Sequence, residues 1–366
     1  MNYLFHLGHP AHFHLFRYVI KKLEQNNNRI TIIIKKKDVL EKLLIEAGLK
    51  YSNYLPEGQK NSKSGMITSI IKRELKMLIH CQDIRYDLMI GTSTEVTHMG
   101  KMLGIKSICV NEDDADAIPL FAKYSYPFAT EILTPASCNS GKWDCKAIKY
   151  NSFHELAYLA PQYFKPDSSY LNFYGIKRPY YIIRFSGLDA HHDVGKKGIP
   201  AGLAKEIIRK LEPCGNVYIT SEKELNGCFG KYCLNINPLD MHQVLAQADL
   251  YIGDSQTMTA ECAVLGTPAL RFNDFVGKLG YLEELEHKYG LTYGIKTNEP
   301  EKLLNKIDEV LLLPDAKAEW EMKKQRMLSD KIDTTDFLTW FIASYPSSRT
   351  IMRSNPEYQY NFKIRI

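Results

Sequence analysis

The chain has 366 residues, with 47 Lys and Arg against 42 Asp and Glu, and therefore a formal net charge of +5 at pH 7. This length exceeds what one hydrophobic core usually serves, so we expect two domains. The charge is too small and too evenly spread to indicate a nucleic-acid partner. No apolar run approaches the ~18 residues that a membrane span requires.

Eight cysteines are scattered along the chain without a CxxC pair. The nearest neighbours, Cys138 with Cys145 and Cys228 with Cys233, do not have the spacing of a zinc knuckle. No signal peptide opens the sequence, so we expect reduced thiols and a cytoplasmic protein. Peripheral contact with the inner membrane stays open as an alternative.

The N-terminal half alternates short apolar runs with amphipathic stretches. The predicted elements are 1–7 (strand), 12–25 (helix), 30–34 (strand), 39–47 (helix), 66–81 (helix), 87–90 (strand), 96–103 (helix) and 105–110 (strand). This order predicts a Rossmann-like parallel sheet, in which ligands bind at the carboxyl ends of the strands.

Four histidines, His6, His9, His12 and His14, surround the end of the first predicted strand. Imidazole is a common metal ligand, but His12 and His14 would point about 200° apart on a helix. We therefore expect no metal site and a structural role for most of these histidines. His12 differs from the others because it begins the first helix at the mouth of the sheet.

Acidic residues follow the predicted strand 105–110, in the stretch 111–116 with the sequence NEDDAD. They form either a solvated loop or part of a site, and we take Asp114 as the catalytic candidate among them. Carboxylates there could also hold Mg²⁺ together with a phosphate-bearing substrate.

The second half begins after a stretch rich in Pro, Ser and Tyr, 164–179, which we interpret as an interdomain linker. The predicted elements that follow are 180–185 (strand), 198–211 (helix), 216–220 and 232–236 (strands), 240–248 (helix), 250–252 (strand), 281–289 (helix), 290–294 (strand), and 300–313, 320–328 and 334–345 (helices). The tail, 346–366, carries basic and aromatic residues, and we expect it to dock on the protein or to be disordered, with contact to anionic lipid as the alternative.

Arg184 ends the predicted strand 180–185, and Ser186 and Gly187 form the turn that follows. An arginine at the opening of a sheet can neutralise a diphosphate and stabilise a departing nucleotide. The alternative is a surface ion pair, but an arginine that ends a buried strand usually has a specific partner.

The stretch 250–271, LYIGDSQTMTAECAVLGTPALR, predicts a strand, a polar turn, a helix to about Leu265 and a second strand. Gly266 is placed to close the helix. The turn lies at a helix N-terminus, where unpaired N–H groups and the helix dipole favour an anion. Ser255 is then either only an N-cap or part of an anion site, with Glu261 placed to accept hydrogen bonds from vicinal hydroxyls.

Three segments resemble known families. DSQTMTAECAVLGTPAL, from Asp254, resembles the donor-binding turn and helix of two-domain GT-B glycosyltransferases and of UDP-N-acetylglucosamine 2-epimerases. HPAHFHLF, from His9, resembles the opening of the domain-of-unknown-function 354 (DUF354) family of predicted GT-B proteins. The stretch 88–113 looks like the 2-epimerase region in which an acidic residue takes part in proton transfer, although Thr92 stands where the epimerases carry an aspartate.

The resemblance implies a binding site for a nucleotide sugar, UDP-linked by expectation, with no further cofactor and no metal. In these families the turn holds the diphosphate, and the glutamate that matches Glu261 binds the ribose. The residues expected to bind the nucleotide sugar are therefore Arg184, Ser186, Ser255, Gln256, Thr257 and Glu261. The resemblance also implies that His12 takes the proton from an acceptor hydroxyl, while the alternative is that His12 caps or packs the first helix.

The expected fold is α/β, with two Rossmann-like domains facing across a cleft and a C-terminal helix that crosses back to the first domain. The expected bounds are 1–170 (acceptor side), 178–330 (nucleotide-sugar side), 331–346 (crossing helix) and 347–366 (basic tail). Transfer of a sugar to a hydroxyl of a saccharide or lipid-linked saccharide, in bacterial surface polysaccharide biosynthesis, is the leading hypothesis. The alternatives are a nucleotide-sugar 2-epimerase and a non-catalytic protein that binds nucleotide sugars.

Overall fold

The computed structural model describes residues 1–35, 39–55, 66–81, 84–185, 198–221 and 227–365. The chain divides into two compact units. Unit 1 comprises Met1–Tyr158 and Ile332–Lys363, and unit 2 comprises Leu159–Lys331 and Ile364–Ile366. Each unit is built on one parallel sheet.

The sheet of unit 1 has seven parallel strands in the order β3-β2-β1-β4-β5-β6-β7. These strands are β1 (Asn2–Leu7), β2 (Arg29–Lys35), β3 (Ser52–Leu55), β4 (Leu88–Gly91), β5 (Lys106–Val110), β6 (Glu131–Pro135) and β7 (Ala147–Tyr150). The interior strand β1 is buried from Tyr3 to Leu7, as expected for a sheet with helices on both faces. The strand order reverses between β1 and β4, which is where ligands bind in open α/β sheets.

Helices alternate with most of these strands along the chain, as in other α/β sheets. In chain order they are α1 (Pro10–Gln25), α2 (Leu40–Glu46), α3 (Met66–Cys81), α4 (Thr94–Leu103), α5 (Pro119–Ser125) and α6 (Leu156–Leu159). Helix α1 buries several apolar residues whose spacing forms one stripe: Phe13, Phe16, Val19, Ile20 and Leu23.

The sheet of unit 2 has five parallel strands in the order β12-β11-β10-β8-β9. They are β8 (Tyr180–Phe185), β9 (Asn216–Ser221), β10 (Leu250–Gly253), β11 (Ala269–Phe272) and β12 (Thr292–Ile295). Here the order reverses between β8 and β10, so the loops after these two strands flank the position where a ligand is expected.

The helices of unit 2 include one, α7, inside the stretch that we had interpreted as a linker. In chain order they are α7 (Ser169–Phe173), α8 (Ala201–Leu211), α9 (Met241–Leu245), α10 (Gln256–Leu265), α11 (Gly280–Glu283), α12 (Pro300–Leu311) and α13 (Ala316–Asp330). A π-helical turn, Glu284–Lys288, follows α11 directly.

After α13 the chain returns to unit 1 and forms α14 (Thr334–Ala343) and α15 (Ser347–Ser354). The hydroxyls of Thr334 and Thr335 donate to the backbone carbonyls of Phe153 (2.8 Å) and Ala157 (2.7 Å). Such buried side-chain hydrogen bonds fix the position of α14 on unit 1. The predicted return of a C-terminal helix to the first domain is therefore confirmed.

One predicted element is wrong and another is helical in two parts. The strand expected at 232–236 is reduced to one bridge between Cys233 and Ile219, because a 3₁₀ turn, Gly227–Tyr232, precedes it and Pro238 follows soon after. The helix expected at 281–289 is confirmed as a helical segment, and its hydrogen-bond pattern changes from α to π after Glu283. Among the described helices, none combines the length and the apolar character that a bilayer crossing requires.

Candidate functional site

The N-terminus of α10 follows β10, one of the two strands at the reversal point of the unit 2 sheet. Ser255 is the N-cap, and its Oγ accepts the backbone N–H of Met258 (3.3 Å). The N–H groups of Gln256 and Thr257 precede the first intrahelical hydrogen bond and point out of the helix end. Ser255, Gln256 and Thr257 are partly exposed. The turn expected to bind phosphate is therefore accessible, and it lies at the positive end of the helix dipole.

Gly253, the last residue of β10, allows two neighbouring side chains to lie over the strand end. A Cβ at this position would lie 2.3 Å from the hydroxyl of Tyr251 and 2.9 Å from Cβ of Arg184. Strand pairing puts Gly253 level with both Arg184 on β8 and Arg271 on β11. Side chains paired across parallel strands share a face, so both arginines lie on the same face of this sheet.

Glu261 lies on α10 and is 5 % exposed. Its Oε1 is 2.9 Å from Nε2 of His242, which is on α9 and equally buried. The sequence indicated the glutamate but not its partner, because the two residues are 19 positions apart and on different helices. The carboxylate expected to bind a ribose is therefore held by an imidazole.

Arg271 is a residue that the sequence analysis missed. It is 1 % exposed, and its Nη2 lies 3.4 Å from Oε1 of Glu283. Its Nε and Nη1 have no hydrogen-bond partner among the described residues, and the same holds for the hydroxyl of Tyr251. Burial lowers the pKa of Arg271. Its position at a strand end, level with Arg184, is the signal that could have indicated it.

Ser186 lies outside the described residues. Of the six residues expected to bind the nucleotide sugar, the structure brings Ser255, Gln256, Thr257 and Glu261 onto one helix, α10. Arg184 lies on the strand next to β10. The five that are described thus lie on α10, at its N-cap and on the adjacent strand β8, beside the reversal point.

In unit 1, the N-terminus of α1 follows the end of β1 and contains His12. The backbone N–H of Gly8 donates to Nδ1 of His12 over 3.1 Å, and that of Ala11 donates to Nδ1 of His9 over 3.2 Å. Desolvation, with the nearby His9, His6 and Lys35, holds the pKa of His12 well below its usual range. His12 is therefore a neutral imidazole with its proton on Nε2.

A buried charged group lies beside these histidines. Glu95 of α4 is 2 % exposed, with Nε of Arg73 at 3.0 Å and Nζ of Lys35 at 3.9 Å from its Oε1. Burial by itself would raise the pKa of Glu95, but Lys35, His6 and Arg73 lower it. His6 is fully buried, and this desolvation lowers its pKa to about 4. The ionised form of Glu95 is thus favoured by its basic neighbours.

The acidic stretch after β5 contributes two differently placed carboxylates. Oδ1 of Asp114 accepts the backbone N–H of Asn139 (2.9 Å) and so holds the loop after β6. Oε2 of Glu112 lies 3.3 Å from Nδ1 of His154, a second imidazole at the carboxyl edge of this sheet. The catalytic role of Asp114 stays a prediction, and Glu112 contacts a titratable side chain, His154. Among the described residues, no three His, Cys, Asp or Glu side chains form a group that could hold a metal ion.

Solved structures with the same fold cover nearly the whole chain. MnaA of S. aureus in complex with UDP matches with a TM-score of 0.69 at 11% identity, over 95% of this chain and 98% of that one. A UDP-GlcNAc 2-epimerase from Neisseria meningitidis bound to UDP-GlcNAc matches with a TM-score of 0.62 at 12% identity, over 96% and 100%. CalG4, the calicheamicin glycosyltransferase, matches with a TM-score of 0.57 at 11% identity, over 94% and 99%.

These similarities confirm the predicted fold of two parallel-sheet α/β domains, as in GT-B glycosyltransferases and UDP-GlcNAc 2-epimerases. No curated protein matches the chain. The family model described as "Protein of unknown function (DUF354)" matches residues 3–279, which confirms the resemblance seen at His9. The chain belongs to the DUF354 family.

Proposed function

We propose that the protein is a glycosyltransferase that moves a sugar from a nucleoside-diphosphate-sugar to a hydroxyl group. In this proposal the nucleotide sugar, UDP-linked by preference, binds to unit 2, and the acceptor is a saccharide or lipid-linked saccharide. The pathway would be the synthesis of a bacterial surface polysaccharide, in a protein that works in the cytoplasm or at the periphery of the inner membrane.

The observation that carries the proposal is the arrangement at the β8/β10 reversal point. An accessible helix N-terminus at Ser255, an arginine at the neighbouring strand end and a carboxylate on the second turn of α10 are combined there. Helix N-termini and arginines bind phosphates, and a carboxylate binds vicinal hydroxyls. Together these groups match the chemistry of a nucleoside diphosphate.

The reaction would need charge stabilisation where the leaving group develops. The acceptor oxygen forms a bond to the anomeric carbon, the bond from that carbon to the β-phosphate oxygen breaks, and the nucleoside diphosphate departs with its electrons. Arg184 and the N-terminal N–H groups of α10 would stabilise this developing charge. The acceptor hydroxyl also has to lose its proton, for which His12 and Asp114 of unit 1 are the candidates.

The role of His12 in this scheme is constrained by its hydrogen bond with Gly8. A general base needs an unprotonated nitrogen that faces the hydroxyl. With Nδ1 engaged by the backbone N–H of Gly8, the neutral ring has its proton on Nε2. His12 in this arrangement can donate a hydrogen bond to a ligand oxygen, and it becomes a base only if the bond to Gly8 breaks.

The test is a thermal-shift screen of the purified protein against UDP, GDP, CDP, ADP, dTDP and their sugars. A ligand present at ~100 times its dissociation constant should add about 2.7 kcal/mol of stability. We expect one nucleoside diphosphate series to shift the midpoint, and Glu261→Ala to abolish that shift. Glu301→Ala, a change at an exposed glutamate on α12, is the control and should respond like the wild type.

Transfer itself is then measured by mass spectrometry with the sugar of the stabilising series and a panel of saccharide acceptors. Appearance of a glycosylated acceptor together with free nucleoside diphosphate supports the proposal. If no nucleotide shifts the wild type, or if Glu261→Ala and Glu301→Ala behave alike, the assigned site is wrong.

One observation favours a second candidate, a 2-epimerase of nucleotide sugars. Glu112 follows β5 and contacts His154, and the resemblance of 88–113 to the 2-epimerases implies an acidic residue of proton transfer in this region. An epimerase exchanges the C2 hydrogen of its substrate with solvent. Deuterium at C2 after incubation in heavy water without an acceptor, lost in Glu112→Gln, would favour epimerisation over transfer.

A further inference from the structure

His242 and Glu261 form a buried pair on two neighbouring helices of unit 2, α9 and α10. The distance from Nε2 to Oε1 is 2.9 Å, and the two side chains are 6 % and 7 % exposed. The ring of His242 also meets the ring of Phe164 edge-on, with centroids 6.4 Å apart and an interplanar angle of 82°. The imidazole is therefore fixed by a hydrogen bond and by an aromatic contact.

Stability alone gives no reason for this pair. Burying a polar or charged pair costs desolvation, and apolar residues of similar volume in its place are often neutral or stabilising. A carboxylate accepts hydrogen bonds, so we assign Nε2 of His242 as the donor of this bond. This bond holds Oε1 at a fixed position and thereby limits the rotation of the carboxylate.

We propose that His242 is a positioning residue that aims the Glu261 carboxylate at the hydroxyls of a ribose. Unit 2 would thereby select ribonucleotides over 2′-deoxyribonucleotides. A carboxylate offers about four lone-pair positions, so a hydrogen bond from His242 is compatible with two more from vicinal hydroxyls. The inference rests on the proposed nucleotide-sugar site and names the residue that sets its selectivity for the sugar of the nucleotide.

Two substitutions of His242 distinguish the effect of its N–H donor from the effect of its aromatic ring. His242→Phe keeps an aromatic ring next to Phe164 but removes the N–H that reaches Glu261. His242→Gln places an amide N–H near the position of Nε2 and restores the donor without the ring. His287→Phe is the matched control, because His287 also pairs with a glutamate, Glu283, but is 70 % exposed on the surface.

The measurement is isothermal titration with matched pairs of nucleotides: UDP and 2′-deoxy-UDP, GDP and 2′-deoxy-GDP, CDP and 2′-deoxy-CDP, and ADP and 2′-deoxy-ADP. We expect the wild type to prefer the ribonucleotide of one pair by about tenfold, the value of one hydrogen bond to a charged group. His242→Phe should reduce this preference to within about twofold and leave the affinity for the 2′-deoxy form nearly unchanged, while His242→Gln and His287→Phe keep the preference.

The outcomes are distinguishable. If the wild type selects ribose and His242→Phe retains the full preference, the inference about His242 is wrong and the proposed site stands. The inference is equally wrong if His242→Phe weakens both members of a pair by the same factor, because that result indicates a general packing role. If no pair binds to the wild type at all, the nucleotide-sugar site falls, and the ribose role of His242 falls with it.

Discussion

The backbone N–H of Gly8 donates a hydrogen bond to Nδ1 of His12 over 3.1 Å. A backbone amide can only donate, so Nδ1 has to be the unprotonated nitrogen of the ring. The pKa of His12 is held well below its usual range by desolvation and by the neighbouring His9, His6 and Lys35. Together, the hydrogen bond and the lowered pKa define His12 as a neutral ring with its proton on Nε2.

We predict that His12 acts in catalysis through its Nε2–H as a hydrogen-bond donor. His12→Gln can place an amide N–H near Nε2, whereas His12→Asn replaces only the Nδ1 end of the ring. His12→Gln should therefore keep the transfer rate within about tenfold of the wild type, while His12→Asn and His12→Ala lose roughly 10²–10⁴-fold, the usual contribution of one positioned proton-transfer or hydrogen-bonding group.

An independent check of the same tautomer needs no activity assay. In ¹⁵N NMR of the histidine side chains, assigned with His12→Ala, we expect Nδ1 of His12 to be unprotonated and Nε2 protonated from pH 8 down to pH 6. Protonation of Nδ1 in this range, or equal losses of rate in His12→Gln and His12→Asn, would support the base role that the resemblance implies.

A second prediction concerns the acid stability of the protein. The pKa of the fully buried His6 is lowered to about 4, whereas in the unfolded chain it is about 6.5. Below pH 6.5 the unfolded state binds a proton that the folded state does not, so His6 destabilises the fold as the pH falls towards 4. Between pH 7.5 and 5 this group alone should remove about 2 kcal/mol from the free energy of unfolding.

Urea unfolding at pH 7.5 and at pH 5 measures this effect. His6→Phe, which cannot titrate, should lose about 2 kcal/mol less than the wild type over this range. Tyr54→Phe is the control, since it removes the hydroxyl 3.4 Å from Nε2 of His6 but leaves the imidazole in place. An equal loss in His6→Phe and in the wild type would contradict the prediction.

Local signals explain why the β10–α10 unit was predicted correctly from the sequence. Ser255 is an N-cap, and Gly266 has a φ of 82°, a left-handed conformation that glycine adopts readily. Each signal lies within the segment that it delimits. The same is true of α3 and α12, whose apolar periodicity spans several turns.

What the sequence could not indicate depends on partners that are distant along the chain. Glu131 begins β6 and is 1 % exposed. A glutamate does not indicate a buried strand in a sequence, because its burial depends on cationic partners that lie far away along the chain. The pairing of Glu261 with His242 and the use of Asp114 to hold Asn139 likewise depend on tertiary contacts. Residue types therefore indicated the chemistry of the candidate site, but the contacts decide which carboxylates are already engaged.

A third prediction uses Gly253 at the reversal point of unit 2. A Cβ there would lie 2.3 Å from the hydroxyl of Tyr251, which is fully buried. Gly253→Ala should therefore destabilise the protein by about 1–3 kcal/mol, as overpacking of a core does, and should weaken nucleotide binding by displacing Arg184.

Gly202 provides the matched control because it lies on the exposed side of α8 with no atom within 4 Å of an added Cβ. Gly202→Ala should stabilise the protein by roughly 0.5–1 kcal/mol, since alanine is the better helix former. The free energies of unfolding of both variants in urea test the pair, and a Gly253→Ala protein as stable as the wild type would mean that the strand end is more open than these contacts indicate.

The fourth prediction concerns the C-terminal tail. Nε of Arg349 lies 2.5 Å from Oε1 of Glu131, and Nη2 of Arg353 lies 3.1 Å from its Oε2. Both arginines are on α15, and the buried carboxylate that they neutralise begins a strand of unit 1. Two of the basic groups that could have attracted anionic lipid are thus engaged within the protein.

We expect Arg353→Met to cost about 1–2 kcal/mol, because the arginine is partly exposed and Arg349 remains. The double variant Arg349→Met, Arg353→Met should cost more than twice that amount, since it leaves a buried carboxylate without a cationic partner. Lys363→Met, at an exposed position of the same tail, is the control and should have no measurable effect. Adding Glu131→Gln to the double variant should recover part of the loss, because the uncompensated charge is then gone. Unfolding free energies that are additive across these variants would show that the two arginines act as ordinary surface charges and that the tail is held by its aromatic contacts alone.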